Sequence, residues 1–251
     1  VNLLQAAAVF GSGVAAGGIN AVVGSGSLIT FPTLLALGYP PVIANVSNNI
    51  GLVPGGTASS YGYRQELKGQ RGRLLRLGSA SALGALTGGV LLLGPLKDAF
   101  KVIVPVLIAV GLVLVVAQPR LNAWLAARRE THHPHGGPWL WLGVLLAGIY
   151  GGYFGAAQGI MLIALLGIFL DDDLQRANGA KNVLSSVVNA TAAVLFIAVA
   201  EVDWLVVLLI AVGSTVGGLL GSSFGRRLHP VVLRGIIVAV GLIAIGKLLF
   251  D

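Results

Sequence analysis

Residues 17–26 read GGINAVVGSG, and residues 148–157, 131 positions later, read GIYGGYFGAA. Each stretch closes a long apolar run and opens a short one, 27–38 in the first case and 159–170 in the second. At 12 residues each, these short runs fall well below the roughly 20 needed to cross a bilayer. A long apolar run, a glycine-rich break and a short apolar run together describe a discontinuous or re-entrant membrane helix.

Working outward, the correspondence continues in the same order. Ala44, Asn45 and Asn49 match Ala177, Asn178 and Asn182, and Gly84 and Gly88 match Gly217 and Gly221, at an offset of 133. The run 109–112 (AVGL) returns at 239–242, at an offset of 130. The chain is therefore read as two repeats, 1–117 and 139–251, joined by a linker, 118–138.

Composition puts both repeats in lipid. Of 251 residues, 56% are apolar and 10% charged, whereas soluble domains carry about 25% charge. Apolar segments of spanning length lie at 3–23, 42–61, 77–96, 99–117, 139–157, 177–200, 204–224 and 231–250. The expected fold is an all-α integral membrane protein with eight long transmembrane helices and two short broken ones. With no cysteine in the chain, disulfides, thiol chemistry and Cys-based metal sites are excluded.

Loop charges predict how the repeats are oriented. The loop 64–76 holds Arg64, Lys68, Arg71, Arg73 and Arg76 against Glu66, while its counterpart in the second repeat is Glu201-Val202-Asp203. Conversely, Arg226, Arg227 and Arg234 correspond to the mixed Lys97, Asp98 and Lys101. Basic loops mark the cytoplasmic side, so their exchange between repeats predicts inverted topology. The linker, with Arg120, Arg128 and Arg129, then falls inside and both termini fall outside. The excess of basic residues is assigned to these loops, and no nucleic-acid partner is expected.

Polar residues inside apolar segments need partners that lipid cannot supply, so they mark sites. One group comprises Asn20, Ser25, Gly26 and Ser27 with Gln158 and Gly159, around the two breaks. A short helix starting at a break presents backbone N–H groups and a positive dipole end, a ready anion site. A second group is the stripe Asn178, Lys181, Asn182, Ser185 and Asn189, at helical spacing on one face, matched by Asn45, Asn48 and Asn49. Lys181 has two readings: it lines the cavity, or it snorkels to the interface and pairs with Asp171 to Asp173.

Segment interiors hold no Asp, Glu or His, so the carboxylate or imidazole relay of many proton-coupled carriers is missing. His132, His133 and His135 lie in the hydrophilic linker and read as a solvated loop. No HExxH, P-loop or GxSxG pattern is present, so neither an enzyme nor a cofactor is expected. Pro32, Pro54 and Pro105 read as helix kinks.

The glycine-rich run Gly17 to Ser27 followed by Pro32 resembles the first signature of the sulfite exporter TauE/SafE family. Gly151 to Gly159, then Arg176-Ala177-Asn178 and Lys181-Asn182, resembles its second. The resemblance covers nearly the whole chain and departs at Ala157, where glycine is more usual. It implies a carrier in the cell membrane for sulfite, an organosulfonate or a related small anion. An anion channel and a membrane accessory or scaffold protein are the alternatives; direction of transport and oligomeric state stay open.

Overall fold

The structure, a computed structural model, describes residues 2–127, 136–170, 172–224, 235, 237–243 and 245–246. Among these the protein is helical: α1 Leu3–Val22, α2 Ser27–Ala36, α3 Pro41–Gly62, α4 Arg71–Leu93, α5 Phe100–Ala127, α6 Gly137–Tyr153, α7 Gln158–Phe169, α8 Leu174–Val199 and α9 Trp204–Phe224. Helix starts follow local chemistry. Asn2 and Gln5 exchange side-chain-to-backbone hydrogen bonds of 2.8 and 2.9 Å in a capping box at α1. Asp173 accepts from the Gln175 and Arg176 N–H groups at the head of α8, and Asp203 accepts from the Val206 N–H at the head of α9.

Five of these helices, α1, α4, α8 and most of α5 and α9, are long and apolar enough to cross a membrane among the described residues. Helix α3 has the length, at 22 residues, but Asn45, Ser47, Asn48, Asn49 and its Gly-Gly-Thr segment dilute its hydropathy. Helix α6 is shorter, at 17 residues. The short runs read at 27–38 and 159–170 form α2 and α7, of 10 and 12 residues. Half of segment 231–250 lies outside the described residues, as do Arg226, Arg227 and Arg234, the linker histidines and Asp171. Helix α5 continues to Ala127 through Pro119, so the first part of the stretch read as linker is helical.

Polarity is reversed relative to a water-soluble protein. Val102, Val106, Val110 and Val113 form an exposed apolar stripe on α5, and Leu205, Leu208, Val212 and Val216 form one on α9. Meanwhile Asn45, Asn48, Asn49, Gln158, Asn178, Lys181 and Asn182 are buried. That pattern fits a hydrocarbon solvent, which gives apolar side chains no reason to turn inward and polar ones no partner outside.

Small residues decide which helices touch. A methyl group added at Gly17 would overlap the Ser214 carbonyl, and one at Gly217 the Val14 carbonyl, so α1 and α9 pack backbone on backbone. Likewise Gly84 and Gly88 of α4 lie against Leu145, Ile149 and Tyr153 of α6. The two helices that end at glycine-rich breaks, α1 and α6, thus pack on α9 and α4 respectively. The glycines at the two contacts are those that correspond in the sequence. Without a hydrophobic drive between helices in lipid, such close approach and its dispersion energy hold the bundle together. Phe31, Phe100, Tyr153 and Phe154 add an edge-to-face aromatic cluster linking α2, α5 and the second break, with Phe31 and Phe154 centroids 5.1 Å apart.

Candidate functional site

Helix α1 ends where Gly24 adopts φ +85°, and α6 ends before Gly155 at +79°. Ala157, at φ +61°, is the one non-glycine residue with positive φ among those described. This is the position where the resemblance to the family's glycine-rich pattern departs from glycine, and a side chain there is carried in a strained backbone.

The two breaks meet. The Gly159 N–H donates to the Gly24 carbonyl at 3.1 Å. A Cβ on Gly24 would stand 2.6 Å from the Gly159 Cα, and one on Gly159 would stand 2.5 Å from the Gly24 Cα. No side chain fits between them.

Around this crossing, α8 supplies the donors for the open end of α1. Lys181 Nζ donates to the carbonyls of Asn20 at 2.7 Å and Ala21 at 3.3 Å, and Asn182 Nδ2 donates to Ala21 at 3.3 Å. These carbonyls are among the last four of α1, which have no partner inside the helix. The second break is capped in the same manner from α3, where Asn45 Nδ2 donates to the Tyr153 carbonyl at 3.0 Å. Side chains of α8 therefore hold the end of α1, and a side chain of α3 holds the end of α6.

Lys181 is 1% exposed, which removes the snorkelling alternative. Of the acids it would have met, Asp172 pairs with Arg73 and, at 3.3 Å, with Arg176, Asp173 caps α8, and Asp171 lies outside the described residues. A buried cation persists only where hydrogen bonds compensate its lost hydration, and here the α1 carbonyls do so.

The expectation that each short helix offers a row of free backbone N–H groups needs correcting. Gly26 N–H donates to Asn20 Oδ1 at 2.7 Å, and Leu28 and Ile29 close turns onto Ser25 and Gly26. In α7, Gln158 donates to Gly155, Gly159 to Gly24 and Ile160 to Ala157. Tight turns and the crossing itself consume most of the donors. What remains uncommitted is in side chains. Ser25 Oγ and Gln158 Nε2, one at each break and only 1% and 3% exposed by residue, have no hydrogen-bond partner among the described residues. The buried Asn178 Oδ1 and Asn49 Oδ1 also lack one.

The remaining sequence candidates spread outward from the crossing. Ser27 Oγ accepts from Asn48 Nδ2 at 3.4 Å, and Asn48 Oδ1 accepts from Thr30, tying α2 to α3. Asn49 Nδ2 donates to Asn189 Oδ1 at 3.3 Å, joining α3 to α8. Ser185 is half-buried and has no bond to this network among the described residues; its neighbour Ser186 instead faces Ser60 of α3 at 3.5 Å.

Sequence reasoning missed Gln118, whose Nε2 donates to the Val23 carbonyl at 3.5 Å and whose buried Oε1 has no partner among the described residues. The sequence reading ends the apolar segment at 117 and puts Gln118 in the linker, and only the continuity of α5 carries that residue to the break. Also missed was Tyr150, whose hydroxyl donates to the Ala156 carbonyl at 2.6 Å and braces the second break from within.

Comparison with known proteins follows this geometry. The family described as sulfite exporter TauE/SafE matches residues 9–248. The probable membrane transporter protein YfcA of Escherichia coli K12 is 27% identical over 238 residues, covering 94% of this chain and 86% of that protein. A probable membrane transporter protein of Haemophilus influenzae is 28% identical over 254 positions, covering 98% and 94%. The probable membrane transporter protein ORF9 of a Sinorhizobium species is 27% identical over 242, covering 94% and 89%. No solved structure matches the chain.

Proposed function

The chain belongs to the sulfite exporter TauE/SafE family, and from that premise we propose that it is an alternating-access carrier for a small sulfur-containing oxyanion, sulfite or an organosulfonate. A multi-pass membrane protein of a transporter family needs a central site that both halves build. The observation that carries this reading is the pair Ser25 Oγ and Gln158 Nε2, two buried polar groups without partners among the described residues, one at each helix break. A buried donor left unpaired costs about 1–3 kcal/mol, and an oxyanion between the breaks would accept from both. To the same site we assign Lys181, Asn182, Asn45, Asn49 and Asn178, on α3 and α8.

In this reading the two halves are inverted repeats of four long helices and one short helix each, with the linker cytoplasmic and both termini outside the cell membrane. The reciprocal packing of α1 on α9 and of α6 on α4 supports it, because matched glycines make both contacts. Rocking of one half against the other would open the Gly24–Gly159 crossing to alternate sides.

Purified protein in liposomes tests the proposal. Labelled sulfite or a labelled short-chain sulfonate should enter with saturation, and unlabelled substrate inside should accelerate entry by exchange. Flux that neither saturates nor responds to internal substrate would assign an anion channel instead. Absence of flux for every sulfur oxyanion tried would leave the proposal without support.

A further inference from the structure

Lys181 is the only charged side chain that is buried among the described residues. Its aliphatic stem lies at the crossing itself: its Cδ would be 3.2 Å from a Cβ placed on Gly24 and 3.0 Å from one placed on Gly159. The residues adjoining those glycines, Ser25 and Gln158, carry the unpartnered groups. An ammonium has three N–H donors, and the two carbonyl contacts, to Asn20 and Ala21, engage two of them. The positive centre is therefore already fixed beside the candidate binding position. It needs no large movement to face a ligand there.

The helices that end or begin at the crossing carry no charge of their own. Helices α1, α2, α3, α6 and α7 contain no Asp, Glu, Lys, Arg or His. Helix dipoles do not alter the balance. The positive ends of α2 and α7 and the negative ends of α1 and α6, each worth about half a charge, converge on the same crossing and offset one another in pairs. The fixed charge there is that of one lysine.

Resting on the oxyanion reading above, we infer that the site selects for ligand charge and accepts monoanions, with Lys181 as the sole counter-ion. One negative charge beside Lys181 leaves a neutral pair in the low-dielectric interior. A second leaves a desolvated net charge, and the cost of burying charge grows with its square, so neutral Ser, Gln and Asn donors cannot compensate it. A neutral molecule of the same shape gains a hydrogen bond from the ammonium but no charge pair, the weaker of the two interactions. The accepted class is the sulfonate or hydrogen-sulfite type, R–SO3 with a single charge; the rejected class is the tetrahedral dianion of similar size.

The experiment is calorimetric titration of the purified full chain, at one pH, with four probes: methanesulfonate, methyl sulfate, sulfate and dimethyl sulfone. Both monoanions should bind about tenfold or more tightly than sulfate, and dimethyl sulfone should bind more weakly than either monoanion. Methyl sulfate is larger than sulfate, so a steric filter would give the opposite order. Equal affinity for sulfate and the monoanions overturns the inference while leaving the oxyanion reading intact. Failure of all four to bind overturns that reading and the inference with it. Lys181→Gln, checked for folding by its melting transition, should lose the discrimination between methyl sulfate and sulfate. A folded Lys181→Gln protein that keeps it removes Lys181 as the counter-ion, and if the variant does not fold, the four-probe series on the unaltered chain still decides.

Discussion

The Gly159 N–H donates to the Gly24 carbonyl at 3.1 Å, tying the breaks of the two halves backbone to backbone. Because a Cβ on either residue would come within 2.6 Å of the other's Cα, Gly24→Ala and Gly159→Ala should each destabilise through overpacking by about 1–3 kcal/mol. Gly24→Ala should cost about 1–2 kcal/mol more, because φ +85° is disfavoured for alanine. Gly11, mid-helix in α1 with nothing within 4 Å of its added Cβ, is the control: Gly11→Ala should stabilise by about 0.5–1 kcal/mol. Melting of the purified variants in detergent checks the order. Equal melting temperatures for Gly24→Ala and Gly11→Ala would mean that the breaks are not in contact.

Lys181 holds the open end of α1, so its loss should show in stability as well as in binding. Lys181→Met keeps the stem but leaves the Asn20 carbonyl without the partner it has at 2.7 Å, while Ala21 keeps Asn182. The expected cost is about 1–3 kcal/mol for one buried acceptor left unpaired. Lys181→Arg should not restore it, because the planar guanidinium is larger and its donors are set in a fixed fork. Full stability and binding in Lys181→Arg would show that any cation serves, and that close fit against Gly24 and Gly159 is unimportant.

The broken helices were legible in the sequence because their cause is local: glycines within ten residues of each other, followed by apolar runs too short to span. The polar stripe on α8 was legible too, since helical spacing alone puts Asn178, Lys181 and Asn182 on one face. What spacing could not supply is the partner across the fold. Nothing in the stripe says that Lys181 faces α1 carbonyls and not Asp172, or that the Gly159 N–H is consumed by Gly24. Those are contacts between residues more than 130 positions apart. Gln118 was lost for a related reason: it stands past the apolar core of its helix, and only tertiary packing buries it.

The orientation of the halves has a direct test in a chain that contains no cysteine. Arg71, at the head of α4, and Glu201, in the loop before α9, are both exposed and lie in the connections 64–76 and 201–203 that the repeat reading pairs, so each can be replaced by a single cysteine. Inverted repeats require a membrane-impermeant thiol reagent to reach position 71 only from the cytoplasmic side and position 201 only from outside. Labelling of both from one side would mean that the halves are parallel, and the alternating-access reading built on inversion would fall with it.

Ser25 and Gln158 allow function to be separated from structure, because the two roles predict opposite signs. A polar group retained for stability destabilises the protein when removed. A buried group without a partner does the reverse, since its desolvation penalty disappears along with it. Ser25 Oγ is in the second situation, so Ser25→Ala should raise the melting temperature of the ligand-free protein, by an amount equivalent to about 1 kcal/mol. It should also weaken oxyanion binding by about 0.5–1.5 kcal/mol, the worth of one neutral hydrogen bond. Gln158→Leu should act in the same two directions, and the double variant should bind more weakly than either. Melting curves with and without methanesulfonate measure both effects in one preparation. A ligand-free Ser25→Ala protein that melts lower, with its binding unchanged, would assign the hydroxyl to the fold and take the first break out of the site.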